Sequence, residues 1–140
     1  MVVVAIVAIL ALIAFPMYTS QVRKGRRAEA KEIISKLALG EEKWRVNNAT
    51  FSTKPSDVGG VSTTAGGTDT STNGYYTVVI TTPTTGTCAN GTTKTAGNNY
   101  VITATKAGSQ ASDTACATFV LTSDCGTVSK TSTPSGNSCW

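Results

Sequence analysis

At 140 residues, with 40% apolar but only 14% charged side chains, the chain suits one globular domain with an appendage rather than a typical soluble enzyme. It contains no histidine, which removes the commonest general base, the commonest metal ligand and every triad built on that residue. The net charge of +4 is localised: residues 23–45 hold eight basic residues against four acidic ones, whereas beyond them four lysines balance four aspartates.

The first element is the run MVVVAIVAILALIAFPMY at residues 1–18, and no charged side chain occurs before Arg23. About 18 apolar residues in a helix span about 27–30 Å, enough for the hydrocarbon core of a membrane. A cleaved signal peptide places basic residues first and keeps its apolar core short; here the run is long and the charges follow it. Pro16 sits inside the run, where it removes a backbone hydrogen bond and crowds the preceding turn. The helical pattern then continues, with Ala30, Ile33, Ile34, Leu37 and Trp44 on one stripe and charges between them. One helix reaching about Asn47 is roughly 70 Å long. Its first half, residues 1–22, is apolar all round and needs lipid or other helices; its second half, residues 23–50, needs a surface for its stripe.

The run MVVVAIVAILALIAFPMYTSQVRKGRRAEA resembles the mature N-terminus of bacterial type IV pilins. Length, proline position and the following basic Gln-Val-Arg-Lys stretch all agree. In that family an N-methylated phenylalanine and five further residues, including a glutamate, precede this stretch, so the resemblance implies a mature N-terminus lacking the first six residues. The family's mid-run glycine falls at Ala8, a departure. The resemblance implies a non-enzymatic structural subunit without cofactors, anchored in the inner membrane before assembly and then packed with identical subunits in a helical filament by the pilus assembly machinery. Val4, Ile6, Ile9, Leu10, Leu12, Ile13 and Phe15 become the filament core. Family filaments commonly show extended backbone before the proline, here a helix break over residues 8–16 at Pro16. Alanine at position 8 opposes this, favouring helix by about 1 kcal/mol over glycine.

Residues 51–74 are rich in Gly, Ser, Thr and Pro without periodicity and read as loop. Three β-rich runs follow, Tyr75–Thr81, Tyr100–Thr105 and Ala117–Thr122, with Gly126–Ser129 as a short fourth. The expected fold is α+β: a long N-terminal helix, apolar half protruding, packed through Ala30, Ile33, Ile34, Leu37 and Trp44 on an antiparallel sheet of about four strands. Residues 51–140 form the globular β domain, closed by a cysteine-bounded C-terminal region like that of pilins.

The four cysteines follow from this topology. In an up-down meander Cys88 and Cys125 lie in turns at one end of the sheet, and Cys116 and Cys139 at the other. Strands of seven residues are roughly 20 Å long, whereas bridged Cα atoms lie about 4.4–6.8 Å apart. Cys88–Cys125 and Cys116–Cys139 fit; pairing along the sheet does not. Free thiols or a metal site are the alternative, but no close C-x-x-C pair occurs, and export favours disulfides.

Little else carries chemistry. Gly59-Gly60 and Gly66-Gly67 lack the strand-to-helix context of a phosphate loop. No Ser or Thr has a basic partner placed to activate it. Asp57, Asp69, Asp113 and Asp124 are turn residues or, alternatively, calcium ligands. The basic collar Arg23, Lys24, Arg26, Arg27 has three readings: headgroup contact before assembly, pairing with Glu29, Glu32, Glu41 and Glu42 of neighbouring subunits, or nucleic-acid binding. Asn48-Ala-Thr50 and Asn90-Gly-Thr92 match the glycosylation pattern, which is common by chance in such a chain. The leading function is therefore a pilus subunit, extracellular once assembled, serving adhesion to a host surface, twitching motility or DNA uptake. The alternatives are a minor pilin binding DNA for transformation, and a type II secretion pseudopilin.

Overall fold

The structure, a computed structural model, describes residues 1–60, 62–64, 67–88, 91–135 and 139–140, with the backbone alone at positions 13, 16 and 62–64. Helix α1, Val2–Asn47, is 46 residues long, which at about 1.5 Å per residue makes it roughly 70 Å. Ala, Leu, Ile, Lys, Glu and Arg dominate it, all compatible with helix. It ends where Asn48 turns extended, at φ −129° and ψ 147°. The Asn48 amide donates back to the Trp44 carbonyl at 2.8 Å, and Arg45 donates to the Asn48 carbonyl at 2.9 Å, so the last turn's carbonyls gain partners and a cation.

The helix break at Pro16 is an expectation for the filament; in the single subunit α1 runs through that position. A proline deletes one rung of the hydrogen-bond ladder, and a lone helix has no neighbour whose packing would offset the loss of further rungs.

Beyond α1 the chain makes a 3-10 helix, Pro55–Val58, then strands β1 Ser62–Thr64, β2 Thr68–Thr70, β3 Tyr76–Thr81 and β4 Tyr100–Lys106. A second 3-10 helix, Gly108–Gln110, leads to β5 Thr118–Asp124 and β6 Thr127–Thr133. The six strands form one antiparallel meander in sequence order, so the sheet is wider than four strands. The segment read as loop contains β1, β2 and the first 3-10 helix. Strands of three residues carry too little periodicity to be seen in a Gly- and Thr-rich stretch; backbone pairing of Thr68–Thr70 with Thr77–Val79 creates β2. Likewise β6 extends to Thr133, because seven residues pair with β5 although none of them is buried.

Alternation sets the two faces. Tyr76, Val78 and Ile80 of β3, Tyr100, Ile102 and Ala104 of β4, and Phe119 and Leu121 of β5 point inward and are buried. Ala30, Ile34 and Leu37 of α1 are fully buried against them, while Ile33 and Trp44 are partly buried at the margin. Edge-to-face rings knit this core: Tyr76–Phe119 and Phe119–Trp140 at 5.7 Å each, and Phe51–Tyr100 at 4.8 Å. Outward, Thr70, Thr77, Thr105, Thr118 and Thr133 stand in register across five strands, giving a polar, uncharged row.

Disulfides close both ends of the sheet. Cys88–Cys125 ties the β3–β4 connection to the β5–β6 turn, Cα atoms 6.0 Å apart. Cys116–Cys139 ties the chain end to the start of β5, Cα atoms 5.9 Å apart. The β5–β6 turn is the two-residue loop Cys125-Gly126, with φ of 50° and 86°. Positive φ at both positions is what a tight hairpin of this twist requires. Cys125, not being glycine, is held there by its disulfide and by its N–H, which donates to Asn99 Oδ1 at 2.8 Å.

Candidate assembly and nucleic-acid surfaces

The apolar half of α1 is the first surface. Val2, Val3, Val4, Ile6, Val7, Ile9, Leu10, Leu12, Phe15 and Met17 are exposed, each by more than half. The helix is long and apolar enough to cross a membrane. Exposed apolar area on this scale marks a membrane or protein contact. Of the residues expected to form a filament core, Val4, Ile6, Ile9, Leu10, Leu12 and Phe15 all lie on this bare segment; the side chain of Ile13 is outside the described part.

The collar that follows divides. Arg27 turns inward: Nε and Nη2 donate to the two oxygens of Asp113 at 2.8 and 2.9 Å. Asp113, only 2% exposed, also accepts from the Gln110 amide at 2.9 Å and from the N–H groups of Ala115 and Cys116 at 3.1 and 3.3 Å. Burial alone pushes its carboxyl pKa up, but the Arg27 hydrogen bond and charge, with those N–H donors, hold it below the ordinary range. Arg27 is thus a clamp between α1 and the β4–β5 connection. Arg26 is partly tethered, with Nη1 3.1 Å from Ser109 Oγ and its guanidinium 4.4 Å over the Tyr75 ring. Arg23 and Lys24 have no side-chain partner among the described residues.

The acidic residues expected to pair between subunits are also mostly committed within the fold. Glu29 accepts from the Asn73 backbone and side chain at 3.0 and 2.7 Å. Glu42 accepts from the Tyr100 hydroxyl at 3.2 Å. Glu41 is fully buried. One of its oxygens accepts from the Ser52 N–H at 3.0 Å and the other has no donor among the described residues. Burial raises its pKa from 4.5 to about 7; the Ser52 bond opposes this and the charges of Glu42 and Asp57 add to it. Glu32 alone stays exposed without a partner among the described residues.

The third surface is the end remote from the apolar segment. Lys36 and Lys43, two turns apart on α1, border a groove of about 580 Å³ that also contains Trp44, Asn47, Asn48 and Asp57. Lys54 is exposed nearby in the sequence, on the connection leaving α1. Lys94 is paired with Asp124 at 3.1 Å. The segment 55–60 is pressed onto α1: a side chain at Gly40 would run into the Val58 carbonyl, and one at Gly60 into Asp69 Oδ2. Gly40 permits that close approach, and Gly59, at φ 88°, ends the 3-10 helix in the left-handed region.

The four loop aspartates are not brought together: Asp57 accepts from Ser52 Oγ at 2.9 Å, Asp69 from the Thr70 N–H at 2.7 Å, and the other two face Arg27 and Lys94. Cys88, Asp124 and Cys125 lie close enough for a metal, but the two sulfurs are bonded to each other, leaving no thiolate. Of the glycosylation patterns, Asn48 caps α1, and Asn90 lies outside the described residues, as does Gly66. Sequence reasoning missed Asp113 as the partner of Arg27, 86 positions away, for which no local signal exists. It also missed Glu41, whose signal was present: 30, 34, 37 and 41 form one helical stripe.

Residues 16–120 match the family described as "Type IV minor pilin ComP, DNA uptake sequence receptor". No curated protein matches the chain at a significant level.

Proposed function

The chain belongs to the ComP family of type IV minor pilins, and from that premise we propose that it is a non-enzymatic pilus subunit whose globular domain binds extracellular double-stranded DNA for uptake. The observation that carries this reading is the match over residues 16–120, which takes in β1–β4 and the start of β5 as well as α1 from Pro16 onward. Before assembly, residues 1–22 lie in the inner membrane and the domain waits outside it. In the filament the same residues pack among neighbouring helices, and the remote end faces outward. The exposed ammonium groups of Lys36, Lys43 and Lys54 supply phosphate contacts there, and the exposed Asn47 beside them offers an amide group that hydrogen-bonds base edges. Lys36 and Lys43 are roughly 10 Å apart along α1.

The test is fluorescence anisotropy of a labelled duplex against the full chain in detergent across a salt series. Binding should weaken steeply with salt, and the triple variant K36Q/K43Q/K54Q should lower the log–log slope by about three, since each phosphate contact contributes about 0.9. Absence of salt-dependent binding would refute the DNA reading, and an unchanged slope in the variant would place the contacts elsewhere.

A further inference from the structure

A second groove, of about 240 Å³, lies at the other end of the domain, where α1 leaves its apolar half. Tyr18 and Val22 form its apolar side, Arg23 and Arg26 its charged side, and Ser109 and Ser112 of the β4–β5 connection its polar side. We propose that this groove is a headgroup site for one anionic phospholipid, held while the subunit waits in the membrane. The inference rests on the anchored state proposed above.

Four observations support it. Val22 is the last residue before the first charge, so the groove sits at the level where hydrocarbon gives way to headgroups. The Arg23 guanidinium has no partner among the described residues, although its backbone carbonyl accepts from Gln110 Nε2 at 3.2 Å. Arg26 uses one nitrogen, Nη1, on Ser109, leaving most of its five N–H donors for a ligand. Asp113 is occupied by Arg27 through both oxygens, and Glu29, one helical turn from Arg26, accepts from Asn73 through both of its own. Two guanidinium groups and two hydroxyls converging on one cleft match a phosphodiester, since guanidinium donors fit phosphate oxygens in pairs. Tyr18 and Val22 offer an apolar wall to the first carbons of the acyl chains. A nucleic-acid phosphate has the same donors to satisfy, but the position beside the apolar segment favours lipid. Transfer into a filament then requires release of that lipid as well as of the bilayer.

The experiment reconstitutes the full chain in nanodiscs of equal parts phosphatidylglycerol and phosphatidylcholine, and counts the lipid retained on the released protein by native mass spectrometry. One phosphatidylglycerol per chain should be retained, preferred over phosphatidylcholine by about tenfold or more. R23Q/R26Q should reduce the preference to near unity, and S112D, which sets a carboxylate in the exposed wall of the groove, should do the same. K24Q, one residue away but outside the groove, should keep it. A chain that inserts but shows no preference overturns the site alone. Equal loss in K24Q reduces it to a diffuse collar, and displacement of the lipid by a short duplex reassigns it to nucleic acid; both overturn the proposal. A chain that stays out of the bilayer overturns the anchored reading and the site with it.

Discussion

Glu41→Gln should make the domain more stable at alkaline pH and remove most of its pH dependence near neutrality. The Glu41 carboxyl is buried between α1 and the segment carrying Ser52 and Asp57, with one oxygen lacking a donor among the described residues. Among the described residues no cation pairs with it. Arg45, four residues on and in reach by helical spacing, instead donates to the Asn48 carbonyl and Asn98 Oδ1 and lies 5.6 Å from the Phe51 ring centre. Burial first, then the Glu42 and Asp57 charges, raise the folded pKa from 4.5 to about 7 against the single Ser52 bond. Between those values the folded chain holds a proton that the unfolded chain has released. Stability from this group is therefore fully present below about pH 4.5 and is lost as pH rises to about 7. At 1.36 kcal/mol per unit the loss is about 3 kcal/mol, or on the order of 10 °C in Tm for a domain of this size. The amide introduced by Glu41→Gln has no proton to lose. Thermal unfolding by circular dichroism from pH 5 to 9 should show the wild-type Tm falling toward pH 7 and the variant's staying level, the two diverging most above pH 7. A wild-type curve flat from pH 5 to 7.5, or a variant with the same slope, would sink the argument.

Asp113→Ala should cost about 3–5 kcal/mol, because it leaves the Arg27 guanidinium, 15% exposed, without its ion pair; chemical denaturation at pH 7 reads this. Asp113 and Glu29 have folded pKa values below the ordinary range, so their stabilisation is lost as pH falls through those values, and a Tm series below pH 5 should show that acid limb steepest in the wild type and shallower in Asp113→Asn. Deleting residues 1–22 should leave a soluble, monomeric domain with both disulfides, by gel filtration and circular dichroism, and abolish filament incorporation; aggregation under oxidising conditions would contradict the division between the two helix halves. Replacing Cys116 and Cys139 by Ser, which opens a 23-residue loop, should cost about 3 kcal/mol in denaturant titration.

The long helix was legible because both of its halves announce themselves, one by unbroken apolarity and the other by the stripe from Ala30 to Trp44. Strands β3, β4 and β5 were legible for the same reason: Tyr76–Thr81 and its neighbours alternate apolar and polar residues because one face meets α1. β1, β2 and most of β6 were not. Their existence rests on backbone bonding to a strand already in place, and residues such as Thr68, Thr70 and Ser132 would be equally at home in a loop. The basic collar was legible only as composition. That Arg27 serves the interior while Arg23 and Arg26 line a cleft depends on Asp113, Ser109 and Ser112, which the meander returns to that level more than 80 positions later. Glu41 marks a different failure: its place on the buried stripe was readable, but a glutamate amid charges reads as a surface residue until Ser52 and Asp57 are seen to cover it.

The two disulfides also set how far a subunit can give under load. From Cys88 to Cys139 the chain runs 51 residues, which fully drawn out would span roughly 170 Å. The bridged intervals overlap, however, so the shortest covalent route crosses from Cys88 to Cys125, goes back along the chain to Cys116, and crosses again to Cys139. Only the nine-residue step from Cys116 to Cys125 lies on that route, about 30 Å of extensible backbone. A chain pulled at its two ends would therefore lengthen before Cys88, along α1 and β1–β3, while the C-terminal half of the domain stayed nearly inextensible.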